Sequence, residues 1–251
     1  PMERTVGRGI MIKPRISIVV VGFDMRRELP RTVQSLLPPY QTGLDRADVE
    51  ILIADNGSTD AVSRDWFPSD ANIRVLSIAD GGKSPCRAIN QAVDAASADL
   101  IGIIINGARM VTPGTLSRAI LASRLSRNAV ISTLHFHLGP KVQQVSVSEG
   151  YTRAVEDGLL KAVDWPQNGY KLFDICALGE SAKGGALTPP FEANFLVMPK
   201  SRFHEIGGYD EGFQQIGGGL ANWDFYRRAV TAKEALPIIL LGEGNFHQLH
   251  Y

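Results

Sequence analysis

Four short runs of apolar, mostly β-branched residues, separated by stretches with helical spacing, limit what this chain can fold into. Ile16 to Val21 (ISIVVV), Val49 to Ala54 (VEILIA), Ile73 to Ile78 (IRVLSI) and Leu100 to Ile105 (LIGIII) read as strands covered on both faces. Between the first two, Leu29, Val33, Leu36 and Leu37 recur at helical spacing until Pro38-Pro39 stops the pattern. A short helix is expected over Ala61 to Trp66. Ser84-Pro85 supplies a capping side chain and a first-turn proline, and the stripe Ala88, Ile89, Ala92, Val93 and Ala96 follows. Thr112-Pro113 repeats that opening for a helix to about Ser126, and Val130 to Leu134 is a fifth strand. Strands and helices alternating at this spacing predict a parallel sheet with helices on both faces, wound by right-handed crossovers.

The second half is less regular. Tyr151 to Lys161 fits an exposed helix, and Trp165 to Pro190 reads as a long loop of the kind that is functional or disordered. Phe195 to Met198 is expected as a strand, Ser201 to Ile206 as a helix, Asn222 to Ala235 as a helix and Pro237 to Leu241 as a last strand. Gly217-Gly218-Gly219 makes a flexible loop. With neither linker nor repeat, the reading is an extension over 1–14 and one domain over 15–251. Its nucleotide-binding half is 15–135 and its acceptor-shaping half 136–251.

Across 251 residues, 26 Lys+Arg balance 26 Asp+Glu, which argues against a general nucleic-acid binder. No run of about 18 apolar residues is present to span a membrane. Cys86 and Cys176 are too few for a disulfide scaffold or a structural zinc site. Pro1 to Lys13 shows no secretory pattern. These features suit a cytoplasmic chain, with peripheral attachment to a membrane left open.

In open parallel sheets, ligands sit beyond the carboxyl ends of the strands. Three such ends are polar here: Gly22-Phe23-Asp24, Asp55-Asn56-Gly57-Ser58 and Asn106-Gly107-Ala108-Arg109. One ligand touching all three is the economical reading. The Asp55 carboxylate can accept from a base or sugar donor, and Gly57 permits positive φ and close approach. The competing reading of Asp55 to Asp60 is a turn that caps the next helix.

ISIVVVGFD, VEILIADNGSTD, Arg87-Ala88-Ile89-Asn90 and ADLIGIIINGARMVTPGTL, in this order, resemble the N-terminal half of family 2 glycosyltransferases. NFLVMPKSRFHEIGGYDEGFQQIGGGLANWDFYRRA is similar to that family's acceptor-side segment. The resemblance implies the GT-A fold, a single α/β domain with a Rossmann-like, mainly parallel sheet flanked by helices. It implies transfer of a sugar from a nucleotide-diphosphate sugar, with UDP as the expected nucleotide, to a saccharide or other hydroxyl acceptor with inversion. Carried over by position, Gly22, Phe23, Asp24, Asp55, Asn56, Gly57, Arg87 and Asn106 would bind the nucleotide. Asp55 would meet the base, and Arg87, after Gly81-Gly82-Lys83, the ribose or diphosphate.

Three departures from the family pattern matter. Asn106 and Ala108 stand where an Asp-x-Asp pair would hold Mn2+ or Mg2+ against the diphosphate. Arg109 beside them is a candidate replacement for that cation. Ala221-Asn222-Trp223-Asp224 stands where Glu-Asp-x-Asp would supply the base. Asn222 cannot act as one and reads as a helix cap. Asp224 and Glu192 are the favoured carboxylates, ahead of Asp210 and Glu211. In the tail, His247 is a candidate metal ligand, with His250 and Asn106 as companions. His135 and His137, near a strand end, are expected on opposite faces and so not as a ligand pair. Trp165, Tyr170 and Trp223 are candidates to stack on an acceptor sugar. The losses at Ala108, Ala221 and Asn222 keep a second reading open: a nucleotide-sugar-binding or partner-binding module with this fold and impaired catalysis. A dinucleotide oxidoreductase would need Gly-x-Gly-x-x-Gly after the first strand, and Gly22-Phe23-Asp24-Met25 lacks it.

Overall fold

The four runs are strands in a computed structural model, which describes residues 13–79, 81, 82 and 84–250. Residues 1–12, most of the expected extension, and Lys83 lie outside the described residues. Strands β1 (Ile16–Gly22), β2 (Val49–Asp55), β3 (Ile73–Ser77) and β4 (Leu100–Ile104) pair in parallel in the order β3-β2-β1-β4. Every residue of β1, β2 and β4 is buried, as continuous apolar runs require.

The rest of the sheet is mixed. The strands β5 (Arg109–Val111), β6 (Ala129–Leu138), β7 (Cys176–Leu178), β8 (Phe195–Pro199) and β9 (Leu236–His247) complete it. From β4 the order continues β8-β6-β9-β5, with β7 on β6. β8 runs antiparallel to both β4 and β6, whereas β6 and β9 are parallel. The sequence reading missed β5 and β7 because each has three residues, too few for a visible pattern. It ended the last strand at Leu241; in the structure β9 runs on through Gly242 to His247, with an irregularity opposite Ser132–Leu134.

Helices α1 (Leu29–Leu36) and α3 (Thr115–Ala122) cover one face, packing with Ile18, Ile51 and Phe195. The other face is covered by α2 (Cys86–Ala95), α6 (Lys200–Glu205) and α7 (Ala221–Thr231), around Val19, Leu52, Ile101 and Phe225. Between α3 and α6 lie α4 (Gln143–Ser148) and α5 (Arg153–Ala162). The helix expected over Ala61 to Trp66 is only a 3-10 turn at Arg64–Trp66. The α5 segment is not simply an exposed helix. Glu156 is fully buried, accepting from the Leu249 N–H (2.7 Å) and from Arg27 (3.1 Å), so it ties the C-terminal segment to the start of α1.

Glu50, buried in β2, shows how polar groups survive in this core. Burial alone would raise its carboxyl, but hydrogen bonds from Ser17, the Ser97 N–H and Oγ, and Arg74 outweigh that and hold it below the usual range. A depressed folded-state value means this stabilisation is complete above the ordinary carboxylate range and is lost as pH falls through the folded value. Urea unfolding of wild type and Glu50→Gln should therefore differ most near neutral pH and converge on acidification.

Candidate active site

Where β1 and β4 end, the chain turns away from the sheet and leaves a cavity of about 640 Å3. Phe23 and Asp24 follow β1 into it, Asn56 follows β2, and Asn106 and Arg109 come from beyond β4. Glu192, Asn194 and Asn222 complete it from the second half, with His250 from the tail. The cavity is the crevice that a parallel sheet offers at its carboxyl edge.

The loop after β2 is held by its own polar residues. Asp55 Oδ1 accepts from the Ser58 N–H and Oδ2 from the Val62 N–H, both at 3.0 Å. Asp24, at φ +51°, accepts from the Thr59 N–H at 2.7 Å, and its own N–H donates to Ser58 Oγ at 3.0 Å. Asn56 donates to the carbonyls of Gly82 (2.9 Å) and Ser84 (3.1 Å), joining this loop to the entrance of α2. Gly57 turns at φ +86°, and a Cβ there would stand 3.1 Å from the Gly81 carbonyl. Asp55 thus organises the loop, whatever else it touches. Two bonds to a charged acceptor are worth roughly 1.5–3 kcal/mol each. Asp55→Ala should lower the urea midpoint as well as nucleotide affinity; lost affinity with unchanged stability would instead mark a purely direct contact.

Arg109 is the unusual group. It is buried in β5, its Nη1 donates to Asn245 Oδ1 at 3.3 Å, and its Nε has no partner. Among the described residues no carboxylate lies within ion-pair distance of it. Burial lowers its guanidinium to about 10, with the charge of Glu192 acting the other way. It therefore stays charged at neutral pH. A buried cation without a counter-ion is costly unless an anion joins it.

Glu192 is half-buried and lines the same cavity. Asn194 donates to its Oε1 and Asn222 to its Oε2, each at 3.3 Å. Asn222 is not the helix cap expected from sequence. Leu220 caps α7, and Asn222 lies one residue inside the helix, buried, with its Oδ1 accepting from Tyr209 Oη (3.2 Å). Its amide keeps a hydrogen-bonding role at a position where a carboxylate would have carried charge. Asp224 instead pairs with Arg228 at 2.8 Å, one turn along α7, and does not line the cavity.

Of the other expected residues, Gly22 supplies its carbonyl to the Asn56 N–H (2.9 Å), and Arg87 lines a smaller cavity that shares Asn56 and Gly82 with the larger one. His247 lies behind Asn106, its Nε2 3.4 Å from Asn106 Nδ2 and 3.0 Å from His250 Nε2. Trp165 is buried edge-on against Tyr40, which is packing, and Tyr170 donates to Glu243 at 2.9 Å. Trp223 stacks on Phe191, next to Glu192, with ring centroids 5.6 Å apart. The placement of His135 and His137 on opposite faces was an error. Residues two apart on a strand share a face, and their rings lie 4.7 Å apart.

Mg2+ or Mn2+ needs hard oxygen ligands. Ala108 offers none, and Asn106 Oδ1 already accepts the Ala108 N–H at 2.8 Å. Arg109 brings a fixed positive charge to the same cavity. These residues do not fit a hard dication at the Asp-x-Asp position.

Residues 17–122 match the model of Glycosyl transferase family 2. Over 217 residues the chain is 28% identical to the uncharacterized protein y4gI of Sinorhizobium fredii, covering 84% of this chain and 21% of that protein. Crystal structures of S. aureus TarS 1-349 share its fold. The complex with UDP-GlcNAc gives a TM-score of 0.62 at 11% identity, over 94% of this chain and 59% of that one. The complex with UDP gives 0.60 at 12% identity, over 94% and 60%. The chain thus spans about a fifth of y4gI and three fifths of TarS 1-349. Among the described residues no helix is long and apolar enough to cross a membrane. The motif order, the family match over residues 17–122 and the mixed sheet with its cleft at the carboxyl edge agree: this chain is similar to glycosyltransferase family 2 in its first half and shares the fold of TarS throughout.

Proposed function

We propose that this chain transfers a sugar from a nucleotide-diphosphate donor, UDP-linked by preference, to an acceptor hydroxyl with inversion. The observation that carries the reading is the cleft itself: it faces a buried guanidinium with no carboxylate partner among the described residues and a half-buried carboxylate, Glu192. The likeness to TarS, crystallised with UDP and with UDP-GlcNAc, supports the choice of donor.

In this reading Phe23, Asp24 and Asn56 receive the nucleoside, and the loop held by Asp55 and Gly57 keeps them in place. Arg109 meets the diphosphate, whose charge grows as the bond from the anomeric carbon to the phosphate oxygen breaks. A planar guanidinium suits that role because its fork matches phosphate oxygens. Glu192 takes the proton of the acceptor hydroxyl as its oxygen bonds to the anomeric carbon on the opposite side. The Asn194 and Asn222 amides fix the carboxylate without neutralising it. Phe191 and Trp223 offer an aromatic face beside it for an acceptor sugar.

Calorimetric titration with UDP, joined to turnover assays over a panel of UDP-sugars, tests the proposal. Binding with transfer is expected. Tight binding with neither transfer nor hydrolysis would turn the reading to a nucleotide-sugar-binding module, and no heat with any sugar nucleotide would overturn both.

A further inference from the structure

Behind the cleft, three imidazoles converge from two strands. His137 and His247 are cross-strand partners of β6 and β9, and His135 precedes His137 by two residues on the same face. One nitrogen from each ring lies within 4.8 Å of the other two. His135 Nε2, His137 Nδ1 and His247 Nδ1 are all buried and have no hydrogen-bond partner. Three orphaned buried nitrogens in one cluster are rare, because such groups are nearly always satisfied.

The other nitrogens of two rings have outer partners. His135 Nδ1 is 3.1 Å from Ser181 Oγ, and His247 Nε2 is 3.0 Å from His250 Nε2. If those outer nitrogens carry the protons, His135 Nε2 and His247 Nδ1 are left with free lone pairs. That is how metal-ligating histidines are normally held, one nitrogen on the ion and the other donating to an outer partner.

We propose that His135, His137 and His247 form a binding site for a borderline first-row cation, zinc above all, separate from the diphosphate position at Asn106. Imidazole suits zinc, and three protein ligands with an open fourth position is a common zinc arrangement. Tetrahedral ligands at zinc–nitrogen distances stand roughly 3.3 Å apart, so small ring rotations close the cluster from its present span. Arg109 opposes a second cation, which favours an anionic fourth ligand such as hydroxide or chloride. The site would pin β9 to β6 behind the cleft.

The test is stoichiometric binding of Zn2+ to metal-stripped protein, together with the visible absorption of the Co2+ form. One equivalent with a tetrahedral cobalt spectrum is expected. His137→Ala should abolish the spectrum and weaken zinc by more than the roughly 10–100-fold typical of losing an outer partner, whereas His250→Ala should stay within that range. Circular dichroism and UDP binding of His137→Ala report whether the fold survives. His137→Gln, of similar bulk, should also lose the spectrum if the first variant fails to fold. No zinc uptake by folded wild type would overturn the site, as would a spectrum that survives in His137→Ala and disappears in His250→Ala. Neither result bears on the glycosyltransferase reading, which UDP binding tests separately.

Discussion

Replacing Arg109 by alanine is expected to lower turnover with a nucleotide-sugar by about 100–1,000-fold, the range seen when one group stabilising developing negative charge is removed. UDP affinity should fall with it, since in the proposed function the same guanidinium meets the diphosphate before and after the bond breaks. Arg109→Lys should recover only part of the loss, because an ammonium cannot engage two oxygens through a planar fork. Wild-type turnover should not require added Mg2+ or Mn2+. The physical basis is substitution of one kind of positive charge for another: Asn106 and Ala108 give a hard dication no carboxylates at that position, and among the described residues the buried arginine has no counter-ion of its own. Steady-state kinetics with and without added dications, with calorimetry on the variants, would check this. Full activity in Arg109→Ala alongside an absolute need for Mn2+ would sink the assignment.

The second large effect falls on Glu192. Glu192→Gln keeps the shape and one of the two accepted amide hydrogen bonds but cannot take a proton, so kcat should drop roughly 100- to 10,000-fold while UDP affinity holds. Asp224→Asn should change kcat only a few-fold, with a modest loss of stability, because Asp224 is occupied by Arg228 on its own helix. The pair of variants separates the two carboxylates that the sequence alone left as rivals. If Asp224→Asn proved the inactive one, the proton acceptor would lie on α7 and Glu192 would be a binding group.

The parallel half of the fold was legible because it is written in local pattern. Four apolar runs can be buried on both faces only in a sheet with covered faces, and each is followed by residues at helical spacing. The polar ends of β1, β2 and β4 are legible for the same reason, and Phe23, Asp24, Asn56, Asn106 and Arg109 from those ends line the cavity. Pairing is not local. Nothing in FLVMP indicates that β8 inserts antiparallel between β4 and β6, and nothing in RMV marks a strand until β9 lies beside it.

The roles inside the site divide along the same line. Residue type and order were enough to show what Ala108 and Asn222 cannot do, since a methyl group does not bind a metal and an amide does not take a proton. What Asn222, Glu192 and the histidines do instead depends on which side chains face one another across 30 to 110 residues of chain. Asp224 turned to its own helix and Glu192 into the cleft, while Asn222 reached across to hold that carboxylate. His137 met His247 only because β6 and β9 run in register. Strand and helix periods are properties of neighbours along the chain, whereas charge partners, orphaned nitrogens and desolvation arise from contacts that exist only once the sheet has assembled.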